Sequence, residues 1–203
     1  MKFIAALDYD HLDNGVFLTA VARALSELQN GKSAQAIIVH GESEYTERLI
    51  QTGIMREEAE VRAIKDLNHR LIALFADQGV SAVGLNGYQR DGIVLDETDN
   101  LHLNMDYFEQ LHQGPVLVLS NLVLDKAANR PTPVPLARYI DFLDSQFSPA
   151  QVFLFSRYDH TSPQKQDQEH KKSELIPNDL RELSIEPTVI TAANFKDAVK
   201  NLE

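Results

Sequence analysis

With 203 residues, 43% of them hydrophobic and 24% charged, the chain can bury one substantial core and has the composition of a folded domain, not of a disordered or fibrous one. It has no cysteine, which excludes disulfides, thiolate nucleophiles and cysteine-ligated zinc. A formal net charge of -11 opposes phosphate backbones, so no nucleic-acid partner is expected; the one basic run, residues 165–172, is interleaved with Asp167 and Glu169.

The first apolar run is too short and too soon acidic for a signal peptide, and none reaches membrane-spanning length, so a cytoplasmic protein without a membrane partner is expected. Residues 2–7 read as a strand, 8–14 as a polar turn, 16–28 as a helix with Val16, Ala20, Leu25 and Leu28 on one stripe, and 36–40 as a second strand. Strand, helix and strand within about forty residues make the usual parallel unit. A helix over 44–51, a break at Thr52-Gly53 and an amphipathic helix over 57–77 follow. Gly79 stops that helix, residues 81–85 form a short strand, and Asn86-Gly87 makes a turn. Residues 92–95 and 101–103 read as a hairpin, 105–112 as a short helix and 115–119 as a buried strand. Pro131, Pro133 and Pro135 punctuate a loop before a helix over 136–146 and a strand over 151–155. Residues 162–172 are polar and read as mobile; a helix over 178–183, a strand over 188–191 and a helix over 194–202 end the chain. The alternation predicts α/β architecture, a mainly parallel sheet with helices on both faces.

Ile38-Val39-His40-Gly41-Glu42-Ser43 is a strand leading through a turn into a helix. An anion there wants consecutive small residues, so that backbone amides can approach it. Gly41 suits that role; Glu42 brings a like charge, and Ser43 can cap the helix. Both readings, anion loop and plain helix cap, stand. Asn86-Gly87 can present backbone amides and a side-chain amide to a ligand. Arg56 can grip a carboxylate with its two-pronged guanidinium or pair with Glu60 one helical turn on. The histidines, among them His40, His69, His102, His112, His160 and His170, form no His-x-x-x-His pair, so no metal site is expected. No serine sits in a small-residue elbow of the hydrolase kind.

Asn68 with Leu71, Ala73 and Leu74, then Ala82-Val83-Gly84-Leu85 and Gly87, resembles the middle of the amino-acid kinase family, nearest to N-acetylglutamate kinase. Upstream, residues 36–41 resemble that family's strand and V-H-G-G-G loop. The resemblance implies a three-layer α/β sandwich, shortened, forming a single domain over residues 1–203. Within it residues 1–125 would be the substrate and dimer lobe and 126–203 a degenerate nucleotide lobe. It also implies a homodimer about the helix over 57–77, whose apolar stripe is richer than one sheet face needs.

The family's functional positions fall on altered residues here. Its first lysine aligns with Phe3 and the following glycines with Ala5-Ala6. Its second lysine aligns with Asn178, after Ser173-Glu174 in place of paired glycines, with Lys171 and Lys172 nearby. The aspartate of its Asn-x-Asn-x-Asp run aligns with Val134 in the stretch 130–134, and a Thr-Asp pair with Ser156-Arg157. Its substrate hairpin is missing, which leaves Arg56 as the carboxylate clamp. Two function classes follow. One is an acetylglutamate-kinase-like protein that is catalytically impaired and acts in small-ligand binding or regulation, with no cofactor expected. The other is an active kinase using ATP and magnesium on the carboxylate of N-acetylglutamate or a related acyl amino acid. Residual binding is placed at Gly41, Asn86, Gly87 and Arg56, for an acyl-amino-acid-like ligand; the alternative is a closed cleft filled by Glu42 and Tyr88.

Overall fold

Three strands, β1 (Phe3–Leu7), β2 (Ala36–His40) and β6 (Val116–Ser120), are buried at every position, because both faces of a central parallel sheet are covered. The computed structural model describes residues 3–29, 36–111, 115–147, 150–157 and 172–202. Between β1 and β2 runs α1 (Gly15–Gln29); α2 (Tyr45–Gln51), α3 (Arg56–Asp77) and β3 (Ala82–Asn86) follow β2. The hairpin is β4 (Ile93–Leu95) and β5 (Leu101–Leu103), and α4 (Met105–Leu111) leads to β6. After β6 come β7 (Leu122–Asp125), β8 (Arg130–Pro133), α5 (Leu136–Phe147), β9 (Gln151–Phe155), α6 (Lys172–Leu175), β10 (Thr188–Ile190) and α7 (Phe195–Lys200).

The main sheet has six parallel strands in the order β10-β9-β1-β2-β6-β3. Strands from the early and late parts of the chain thus share one sheet. Alternation along β1 divides the core: Phe3, Ala5 and Leu7 face a cluster with α1, α3 and α7, while Ile4 and Ala6 face a cluster with α4, α5, β4 and β7. The result is the expected three layers. A four-stranded sheet, β5-β4-β7-β8, flanks the second face.

Several local expectations are corrected. The proline-rich stretch over 130–133 is a strand, β8, paired antiparallel with β7 in the register Leu122↔Pro133 and Leu124↔Pro131. It is tolerated because β8 is an edge strand, where the missing proline N–H groups can face away from the ladder. β7 was unforeseen because the chain passes from β6 into it through Asn121 alone, with no turn residues to mark the change of sheet. The helix expected over 178–183 is one 3-10 turn, Asn178–Leu180. The rich apolar stripe of α3 is consumed within the chain: Ala59 and Ala63 pack on Leu49 of α2, and Leu67, Leu71 and Phe75 pack on the sheet. It therefore does not by itself call for a second copy. Residues 162–171, read as mobile, lie outside the described residues. No helix among the described residues is long and apolar enough to cross a membrane.

Candidate functional site

The residues that carry the family resemblance build a buried polar knot. His40 ends β2 fully buried, with Nδ1 3.0 Å from the Gly41 carbonyl and Nε2 3.0 Å from Asn68 Nδ2. The carbonyl can only accept, so Nδ1 carries the proton and Nε2 accepts from the amide. Burial lowers the His40 pKa to about 4, which keeps the ring neutral in that tautomer at neutral pH. Asn68 Nδ2 donates also to the Val118 carbonyl at 3.1 Å, so one amide on α3 fastens β2 and β6. Gly84 completes the knot: a Cβ there would lie 2.4 Å from Asn68 Oδ1 and 2.9 Å from Ile72 Cγ1. These residues hold the scaffold.

The Asn86-Gly87 turn is spent internally. Asn86 N–H donates to Gln89 Oε1 at 2.9 Å, and Asn86 Oδ1 accepts from Ser120 Oγ at 2.9 Å. A Cβ on Gly87 would meet the Leu122 carbonyl at 2.7 Å and Tyr139 Oη at 3.0 Å. The Tyr88 ring packs with Lys65 Nζ 4.9 Å from its centre, so it does not fill a cleft beside Glu42. Arg56 is exposed and pairs with Glu47 at 2.9 Å and Glu60 at 3.8 Å; the pairing with Glu60 is the one its helical spacing allows.

A cavity of about 600 Å³ opens outside the carboxyl ends of β1, β2 and β6, where open α/β sheets bind ligands. Of the expected positions, Gly41, Val134 and Asn178 line it; Asn86, Gly87, Arg56 and Phe3 do not. The proposed pairing of Gly41 with Gly87 across one cleft is therefore not what the fold makes: β6 and the β7 carbonyl of Leu122 stand beside Gly87, while Gly41 abuts Asn121. Phe3 begins β1, four residues and about 13 Å of extended chain from the strand's carboxyl end. It is 1% exposed and meets Phe153 and Phe195 edge to face. The turn that reaches the cavity from β1 carries Tyr9 and Asp10, not the Ala5-Ala6 pair, which is sealed in the sheet.

The lining is acidic. Asp10, Glu42, Glu60 and Asp179 contribute carboxylates, and no lysine, arginine or histidine is among the described lining residues. Asp179 accepts the Tyr9 backbone N–H at 3.3 Å. Desolvation, then the charges of Asp8 and Asp10, push its carboxyl up to about 6. Asp8 itself is buried, accepting from His11 Nδ1 at 2.7 Å and from the His11 N–H at 3.0 Å. Burial, then the charge of Glu42, raises Glu60, and burial, then Glu42, raises Tyr9.

Asn121 occupies the passage from β6 to β7. Its N–H donates to the His40 carbonyl at 3.0 Å and its Nδ2 to the Val134 carbonyl at 2.7 Å. Asn121 lines the cavity and is 6% exposed, while its Oδ1 is sealed from solvent and has no hydrogen-bond partner. Arg157 reaches Asn178 Oδ1 at 3.4 Å from outside the lining. Lys171 and the side chains of Lys172 and Ser173 lie outside the described residues. No group of three or more histidine, aspartate or glutamate side chains among the described residues is placed to hold a metal ion. Asp10, Asn121 and Asp179 were not singled out in the sequence; the signal that finds them is position, since two of them follow the carboxyl ends of parallel strands.

No protein-family model and no curated protein matches the sequence. Solved structures do. An isopentenyl phosphate kinase superposes with a TM-score of 0.64 at 17% identity, covering 100% of this chain and 97% of that one. An aspartate kinase from Synechocystis gives 0.59 at 11% identity over 77% of this chain and 28% of that one. An N-acetylglutamate synthase from Neisseria gonorrhoeae, complexed with coenzyme A and N-acetylglutamate, gives 0.56 at 14% over 79% and 42%. At these identities the likeness is one of fold: the chain has the amino-acid kinase fold, an α/β sandwich around a six-stranded parallel sheet.

Proposed function

We propose that this chain is a small-ligand-binding or regulatory protein of acetylglutamate-kinase-like descent that does not transfer phosphoryl groups. The observation that carries the reading is the cavity lining: four carboxylates and, among the described residues, no cation. Phosphoryl transfer depends on positioning and on stabilising the charge spread over the transferred group. A carboxylate about 5 Å from a phosphate oxygen costs roughly 3 kcal/mol at an effective dielectric constant of about 20. Residues 126–203 then act as a degenerate nucleotide half, and self-association, if the chain is a homodimer, uses α3 and the free edge of β3, where Val83 is exposed. Sedimentation showing only monomer at micromolar concentration removes that part.

The alternative reading, an ATP-dependent kinase acting on N-acetylglutamate or a related acyl amino acid, is favoured by the place of the cavity at the strand ends and by the kinase neighbours. A phosphoryl-transfer assay with ATP, magnesium and N-acetylglutamate separates the two. The expected result is no acyl phosphate above background; turnover of about 1 per second or more, the low end of ordinary enzyme rates, overturns the proposal.

A further inference from the structure

The turn between β3 and β4 is held in a conformation that its residues disfavour. Gln89, Arg90, Asp91 and Gly92 are closed into a turn by the Gly92 N–H, which donates to the Gln89 carbonyl at 3.0 Å. Arg90 and Asp91 both have φ of 53°. Two successive positive φ angles make a turn of the I′ kind, which an Asn-Gly pair fills with little strain and an Arg-Asp pair does not. Asp99 and Asn129, the other non-glycine residues with positive φ among the described residues, each stand alone. The chain has an Asn-Gly pair just upstream, but Asn86-Gly87 ends β3 instead, so local preference and fold disagree here.

Side chains hold the turn from three directions. Gln89 Oε1 accepts the Asn86 N–H at 2.9 Å, the Arg90 guanidinium lies 5.7 Å from the Tyr107 ring centre on α4, and Asp91 pairs with Lys126 after β7 at 3.6 Å. Gln89, Arg90 and Asp91 are exposed, so the ring contact and the ion pair are weak. Beneath them Tyr139 Oη is fully buried and has no hydrogen-bond partner among the described residues. Its neighbour is the backbone of Gly87, where a Cβ would lie 3.0 Å from it. The Gly87 carbonyl is taken by the Ile93 N–H at 2.7 Å.

We propose that the Gln89–Gly92 turn is a two-state element that moves the cavity wall through Tyr139. In the second state Arg90 and Asp91 relax to negative φ, the bond from Gly92 to Gln89 opens, and the Gly87 carbonyl turns to accept from the Tyr139 hydroxyl. Backbone strain and an unmade hydrogen bond both favour release, and the surface contacts oppose it. The Tyr139 N–H donates to the Pro135 carbonyl at 3.0 Å, and Val134, Pro135 and Leu136 line the cavity, so a shift of Tyr139 reaches the wall. Its regulatory use rests on reading the cavity as a ligand site.

The test is NMR relaxation dispersion of the backbone amides of the full chain without ligand, which reads exchange between states on the microsecond to millisecond scale. Residues 87–93 are expected to exchange, with Val134, Leu136 and Tyr139 at the same rate, while β1 and β2 stay flat. Asp91→Gly removes one strained residue and should lower the minor population about tenfold. Tyr107→Leu removes the ring under Arg90 and should raise it about two- to fivefold. Tyr139→Phe removes the hydroxyl that the second state satisfies and should also lower it. Thermal unfolding of each variant verifies that it is folded. Flat profiles over residues 87–93 in both the wild type and Tyr107→Leu overturn the inference. So does exchange that Asp91→Gly leaves unchanged, or a rate at residues 87–93 that Val134, Leu136 and Tyr139 do not share. The profiles are read on the free chain, so this inference and the proposed function fail separately.

Discussion

The knot around Asn68 and the cavity beside Asn121 lie at the same end of the sheet, joined through His40, yet they obey opposite rules. In the knot both ring nitrogens of His40 and the amide nitrogen of Asn68 meet partners, and Gly84 has no room for a Cβ. In the cavity four carboxylates crowd one another and an amide oxygen is left over. Groups arranged for folding satisfy each other; groups held in mutual tension are held for something else. The first region holds the sheet together, and the second brings Gly41, Val134 and Asn178 to one cavity.

The sharpest way to break this contrast is to place at Phe3 the lysine that the family resemblance expects there. If Phe3 is scaffold, Phe3→Lys removes a ring packed on Phe153 and Phe195 and buries an unpaired charge. The expected loss is about 4 kcal/mol or more of unfolding free energy, read from urea denaturation, with no gain in nucleotide binding. Asn68→Ala should come next, at about 3 kcal/mol, since it strands the His40 acceptor and leaves a void against β3. A loss below about 1 kcal/mol would mean that the knot does not hold the sheet.

The same knot sets a pH dependence. His40 has its pKa lowered to about 4 from 6.5, so the unfolded chain binds more protons between these values. The contribution is present above pH 6.5 and is lost as pH falls toward 4, by about 3 kcal/mol in all. Asp179, pushed up to about 6, works in the opposite sense over part of that window. The measurement is therefore the pH slope of wild type against His40→Gln, which should lack the His40 component.

In the cavity the sign reverses. Because the Asp179 carboxyl is raised, its ionised form weakens the fold at pH 7 and not below its unfolded pKa near 4. Asp179→Asn should stabilise the protein at pH 7 by less than about 1 kcal/mol after solvent screening, and by nothing measurable at pH 3.5. A destabilisation at pH 7 would assign Asp179 to the scaffold.

The layers and most elements were legible because parallel strands buried on both faces leave continuous apolar runs and α3 a long periodic stripe. β8 was hidden by prolines whose tolerance depends on being at an edge, which sequence does not show. The knot was visible only as a resemblance, since the contact between Asn68 and Gly84 spans a helix and a turn. The cavity was least legible: its carboxylates come from residues 10, 42, 60 and 179, each unremarkable alone, and Gly41 and Gly87 looked paired although β6 stands between their strands.

The most direct measurement is thermal unfolding of the full chain with and without magnesium-ATP. With the strand ends kept and the cavity made acidic, no shift of the transition is predicted at millimolar nucleotide. A stabilisation of about 2–3 kcal/mol, the linkage value for a ligand at a hundredfold excess over its Kd, would contradict the account.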